Sequence, residues 1–252
     1  MKQQRRLPCT TASSGFLLVL APLVILVQLA LLVQLALLAG CAGKPPVISR
    51  VYARVIYNRD VQTGLTRQTL GVFLVASDPD GVENLSAFYV INAEAELVWK
   101  VDSTAWVTTS AEGESWLGTT SLSMPGPAPL PPGQYRVILQ SVGGDTVEDS
   151  FTLAGQTVSE SAPAYPAARI AEGAVRITGP YTRYEIWAYA SSGAFVAAFP
   201  AEGKNPALPV QAIAGAVPAL ADAFTFRVFA WDEQAGYGVL SGPYTSARLP
   251  DR

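Results

Sequence analysis

Gln134-Tyr-Arg-Val-Ile-Leu-Gln-Ser-Val-Gly-Gly-Asp-Thr-Val-Glu-Asp-Ser-Phe-Thr-Leu153 is the stretch whose pattern decides the fold. Tyr135, Val137 and Leu139 alternate with polar or less bulky positions, which is the period of a strand with one buried face. Val147, Phe151 and Leu153 continue the period beyond Gly143-Gly144-Asp145, and glycine there accepts the backbone angles of a tight turn. The stretch predicts an antiparallel hairpin of strands 134–142 and 146–153.

The same alternation extends upstream. Strands are expected over 47–56, 69–77, 85–91, 96–102, 105–109 and 116–123, with Asp78-Pro79-Asp80-Gly81 as one of the turns between them. Nothing in this region keeps a helical period for three turns. Gly155–Ala167 carries Ser159, Ser161, Pro163 and Pro166 and is expected to be a polar linker. A second set of strands follows over 168–171, 174–178, 184–190, 194–199, 208–213, 224–231 and 237–243. Between Asn205 and Ala223 the pattern weakens, and a helical turn over 210–214 or over 218–223 is open as an alternative.

Leu130-Pro-Pro-Gly-Gln-Tyr-Arg-Val137 resembles the approach to the penultimate strand of bacterial immunoglobulin-like domains. Tyr184-Glu-Ile-Trp-Ala-Tyr-Ala190, with Ser191-Ser-Gly193, resembles the third strand and turn of a fibronectin type III domain. Phe224-Thr-Phe-Arg-Val-Phe-Ala-Trp231 resembles the last hairpin of that family, with phenylalanine where its tyrosine corner would supply a hydroxyl. These resemblances imply an all-β chain with two antiparallel β-sandwich domains in tandem. The first is immunoglobulin-like over 47–155, and the second is fibronectin III-like over 168–252 after a linker at 156–167. Ile177-Thr-Gly-Pro-Tyr-Thr182 and Leu240-Ser-Gly-Pro-Tyr-Thr245 are near-copies, read as similar strand ends.

Ahead of the β-rich chain, Lys2, Arg5 and Arg6 precede an uncharged apolar run at 16–39 that ends in Leu38-Ala39-Gly40-Cys41. A basic start, an apolar centre and small residues before a cut describe a secretory signal. The ending resembles the lipobox of bacterial lipoproteins. That resemblance implies a signal peptide over 1–40, lipidation of Cys41 as the first mature residue, and a short tether over 41–46. The run is longer than the usual signal core, and Val27–Leu32 is repeated at Val33–Leu38. At 1.5 Å per residue it would reach about 36 Å, so an uncleaved transmembrane anchor is the alternative. Ala42 follows the cysteine where aspartate is the familiar inner-membrane retention signal, an analogy that favours the outer membrane.

Composition removes several functions. The chain has no histidine, which excludes Ser-His-Asp and Cys-His catalysis and histidine-ligated zinc. Loss of residues 1–40 takes the formal charge from −3 to −6, a poor balance for nucleic acid. Cys9 and Cys41 are the only cysteines, so the β-rich part is expected to have no disulfide. No Gly-x-Ser-x-Gly, Ser-x-x-Lys or P-loop motif occurs, and no enzyme activity is expected.

Candidate sites are few. Asp78, Asp80 and Glu83 place three carboxylates on one turn, a partial oxygen set for calcium without the full spacing of a dedicated loop. They compete with a plain solvated turn. Asp232 and Glu233 read as a polar loop tip. Trp99, Trp187 and Trp231 sit in alternating strands and are expected in the core. Trp106 and Trp116 flank Ser/Thr/Gly-rich sequence and are candidates for partial exposure, where an indole stacks on a sugar or anchors a protein. The expected function is a non-catalytic binding or structural module of the cell envelope, anchored through lipid on Cys41 and contacting an envelope or host protein. A carbohydrate-binding module is the alternative, and a histidine-independent glycoside hydrolase working through two carboxylates is a second.

Overall fold

The computed structural model describes Gln28 and residues 44–111, 113–126, 128–155, 163–221 and 223–246. The signal peptide, the lipidation site Cys41 and linker residues 156–162 lie outside the described residues. Among the described residues no helix is long and apolar enough to cross a membrane.

The chain from Pro45 onward is all-β. In the first segment the strands are β1 (Val47–Asp60), β2 (Thr66–Ser77), β3 (Leu85–Asn92), β4 (Leu97–Asp102), β5 (Val107–Ala111), β6 (Glu114–Leu122), β7 (Gly133–Ser141) and β8 (Thr146–Leu153). In the second they are β9 (Ala167–Ala171), β10 (Ala174–Thr178), β11 (Arg183–Tyr189), β12 (Phe195–Glu202), β13 (Ala207–Pro209), β14 (Thr225–Asp232) and β15 (Tyr237–Thr245). The expected hairpin is β7 and β8, in register from Gly133↔Leu153 to Gln140↔Thr146. Its turn is closed by Ser141 N–H on the Asp145 carbonyl at 2.9 Å, with Gly144 at φ 91°.

Three sheets result. One has four strands, ordered β4-β3-β7-β8, and one has three, ordered β13-β10-β9. The third has eight, ordered β12-β11-β14-β15-β1-β2-β6-β5. The eight-stranded sheet runs through both segments, so the sheets do not divide at 156–167. The join is β1 against β15, parallel, from Ile56↔Gly238 to Asp60↔Gly242. It departs from the purely antiparallel expectation, and it explains why β1 runs to Asp60 rather than 56. Residues 56–59 have a strand on each side, β2 and β15, and Asp60 pairs with β15. One apolar core follows the same path, with Leu70, Phe88 and Leu139 of the first segment in one cluster with Ile186, Phe226 and Val228 of the second.

The strand expected over 208–213 is a correction. Only Ala207–Pro209 is strand, and Val210–Ala216 is a helix, α1. Val210 and Ile213 are both buried there, three residues apart on one helical face. Val217 is extended, as a residue before proline tends to be, and Pro218–Leu220 forms a 3-10 turn. Both alternatives held open at the sequence level are therefore present. The two Gly-Pro-Tyr-Thr copies differ: the first lies between β10 and β11, while the second is inside β15, with Gly242–Pro243 cis and Gly242 at φ 138°.

Two corners are pinned by hydroxyls. Tyr135 is fully buried, stacks between Trp99 and Phe151, and donates its hydroxyl to the Pro131 carbonyl at 2.6 Å. This is a tyrosine-corner bond, four residues back along the chain. At the second corner Phe224 has no hydroxyl to give, and Ser246 serves instead: its Oγ accepts the Phe224 N–H at 2.9 Å. We predict that Tyr135→Phe lowers stability by about 1 kcal/mol, the net value of a typical hydrogen bond, read from the urea midpoint. An unchanged midpoint would show that the corner bond contributes nothing.

Candidate functional site

The second face of the eight-stranded sheet, away from the main core, carries the molecule's most unusual chemistry. Along β1 the core takes Val55 and Tyr57, and the alternate positions Arg50, Tyr52 and Arg54 are exposed. The Arg54 guanidinium lies 4.1 Å from the Tyr52 ring centroid and 5.7 Å from that of Trp231 on β14. Arg50 lies 5.7 Å from the Trp116 ring and pairs with Glu114 at 2.9 Å. Tyr52 and Trp116 meet edge to face at 6.4 Å. Cation–π contacts thus link β6, β1 and β14, across the join of the two segments.

The band continues as a small apolar cluster of Ile56, Trp187 and Leu240, with Tyr189 and Phe229 packed on it. Trp187 and Phe229 stack at 4.8 Å, and the Trp187 indole donates to Glu185 at 2.8 Å. Glycines make room for these rings. A Cβ on Gly238 would lie 2.5 Å from the Phe229 ring, and one on Gly118 would lie 2.2 Å from the Val72 carbonyl and 2.6 Å from the Phe73 ring. Beside the band a cleft of about 820 Å³ is lined by residues including Tyr181, Arg183, Tyr184, Glu202, Phe229, Trp231 and Asp232. Asp232 is engaged by its own turn, accepting N–H bonds from Gln234 and Ala235.

The sequence-level candidates scatter over this framework. Trp116 is in the band, but Trp106 is not: it stacks on Phe88 at 6.1 Å and packs against the main core. The two indoles do not form one site. Trp99 packs against the main core as expected, donating to the Ser123 carbonyl at 3.2 Å. Trp187 is buried as expected, although in the separate outer cluster rather than the main one. Trp231 corrects the core expectation and lies half-buried under Arg54. Alternation alone does not say which face of a strand is the core, so the arginines on β1 were the signal that sequence reasoning missed.

Asp78 is buried, and both its carboxyl oxygens are used within the loop, by Asp80 N–H at 2.8 Å and by the Asn84 amide at 3.1 Å. Asp80 is exposed. Among the described residues no group of three or more acidic or cysteine side chains converges as a metal site, so the calcium reading of Asp78, Asp80 and Glu83 gains no geometric support.

No family model matches the chain, and no curated protein matches it. Among solved structures it is similar to dimeric latent PorU of Porphyromonas gingivalis, at 12% identity and TM-score 0.32 over 80% of this chain and 20% of that one. It is also similar to the BSP domain of a biofilm associated protein, at 14% and 0.26 over 81% and 30%. A third likeness is to the N-terminal Ig1-2 module of the Drosophila receptor protein tyrosine phosphatase DLAR, at 12% and 0.34 over 79% and 98%. The chain thus spans about a fifth of the PorU chain and under a third of the BSP chain.

Burial pushes the phenols of Tyr181, Tyr184 and Tyr189 above their ordinary value, and Asp232 raises Tyr181 further by charge repulsion. Tyr57, Tyr135, Tyr165 and Tyr237 shift the same way, with burial as the main cause. The folded state holds these protons more tightly than the unfolded chain, whose phenols ionise near about pH 10. Stability is therefore fully present below that pH and is lost as pH rises past it. We predict a lower urea midpoint at pH 11 than at pH 8; equal midpoints would contradict the burial of these hydroxyls.

Proposed function

We propose that this chain is a non-catalytic binding module of the cell envelope, anchored through lipid on Cys41 and contacting a protein partner through the outer face of its eight-stranded sheet. The outer membrane is the favoured location, by the Ala42 analogy. The observation that carries the reading is Arg54 held between Tyr52 and Trp231 on the join of the two segments. Tyrosine, tryptophan and arginine are the residues that dominate protein–protein hot spots.

The ring geometry favours a protein over a sugar. A sugar stacks on a bare ring face, whereas Tyr52 and Trp116 have guanidinium groups over them and Trp187 is stacked on Phe229. Position supports the reading as well. The pairing of Ile56 with Gly238 sets the first β1–β15 contact nine residues along β1 from Val47. At about 3.3 Å per residue the second segment joins roughly 30 Å beyond the anchored end.

Affinity capture from intact envelopes, with the folded protein as bait, tests the reading. The unaltered protein retains a discrete partner, and Tyr52→Ala/Arg54→Ala weakens that complex by about 30-fold or more, the loss of one hot spot of about 2 kcal/mol. Glycan-array binding that Trp116→Ala abolishes would instead establish the carbohydrate reading. A free Cys41, or an intact Met1, in the mass spectrum of the native N-terminus would overturn the lipid anchor.

A further inference from the structure

We propose that one end of the first segment, tipped by Val47, Val82 and Val142, rests on the surface of a zwitterionic phospholipid bilayer. The inference builds on the membrane-anchor reading above and adds which part of the fold meets the lipid.

Strand register places the three valines at one end. Val47 opens β1 opposite Ser77, the last residue of β2. The turn after Ser77 leads to Val82 in a 3-10 turn over Val82–Asn84. The Asn84 carbonyl accepts the N–H of Val142 at 2.7 Å, and Val142 sits in the turn between β7 and β8. These side chains come from one strand start and two separate turns, and they are 47%, 46% and 70% exposed. None completes a core, and a valine costs free energy when left in water.

The chain leading to this end is short. Lys44 and Pro45 are exposed, and Pro46 is buried against the body just before β1. Pro46 is five residues on from Cys41, a reach of at most about 18 Å for fully extended chain. Prolines 45 and 46 limit how far that segment folds back. A lipid on Cys41, or an anchor ending there, therefore brings this end of the protein to the bilayer before any other. The turn between β1 and β2, with Leu65 71% exposed, lies at the far end of the same strands.

Charge selects the lipid. Asp80 and Glu83 flank Val82 and are exposed, against the exposed Lys44 just ahead of Val47, and the excess of negative charge is repelled by an anionic surface. Three valines and no basic patch give weak contact without a tether. The contact is an orientation imposed on an already anchored protein, which holds the second segment away from the membrane.

The full chain, matured in its producing cell and reconstituted in phosphatidylcholine vesicles doped with a nitroxide-labelled lipid, tests this. An environment-sensitive fluorescent amino acid is placed at position 82 or 142, and at position 65 as the control. Quenching at 82 and 142 is expected to be at least twofold greater than at 65, with the excess falling when phosphatidylglycerol replaces part of the phosphatidylcholine. Equal quenching at the three positions overturns the contact, and an excess that grows with phosphatidylglycerol overturns the choice of lipid. The mass of the N-terminal peptide from the same sample reports the anchor separately. An uncleaved chain with a free Cys41 enters the bilayer at the same end, so quenching remains a test of the contact even where the lipid reading fails.

Discussion

Five consecutive pairings between Ile56–Asp60 of β1 and Gly238–Gly242 of β15 determine how the rest of the chain is arranged. Backbone N–H and C=O groups along an open strand edge must find partners or face water. Here the Ile56–Asp60 edge of β1 and the Gly238–Gly242 edge of β15 satisfy that need together, and the two segments come to share one eight-stranded sheet. Because the pairing is parallel and begins part-way along β1, the second segment is displaced along the strand as well as set beside it. Arg227 of β14 reaches across to Asn58 of β1 at 2.9 Å, and the Ser241 hydroxyl donates to the Pro166 carbonyl at the end of the linker. The Arg227–Asn58 bond therefore adds a side-chain hold to the ladder at the join.

A shared sheet has a shared outer face, and this turns scattered aromatics into a band. Tyr52, Arg54, Trp116 and Trp231 belong to three strands that are far apart in sequence, and only the β6-β2-β1-β15-β14 order makes them neighbours. The bare backbone at Gly238 and Gly118 lets Phe229 and Phe73 lie close over adjacent strands. Rings covering glycine in this way recover packing that the missing side chain would otherwise forfeit.

Much of the fold is legible from residues alone because strand alternation and turn chemistry are local. The β7–β8 hairpin, the turn at 78–81 and the placement of Tyr135 all follow from a few neighbouring residues. The helix at Val210–Ala216 is harder to read, since a short apolar run without clear alternation does not by itself distinguish a helix from a buried strand. The β1–β15 pairing was out of reach: residues 56–60 and 238–242 are separated by nearly the whole folded chain, and Asn58 and Arg59 gave no sign of a second partner. The same blindness governs the site. Trp187 is buried as its strand suggests, but Trp231 reads as core because alternation fixes that a side chain alternates, not which sheet face it finds. Arg54 was passed over because its rings come from elsewhere in the sequence.

The central claim is that the parallel join makes the two segments one cooperative structure. Native-state hydrogen exchange on Ile186→Ala tests it most directly. This substitution removes a fully buried side chain from the second segment at a cost of about 2–5 kcal/mol. Slowly exchanging amides of β7, in the first segment, report whether that loss is transmitted. The account predicts that protection in β7 falls together with protection in β11 and β14. Unchanged protection in β7, with loss confined to the second segment, would contradict it.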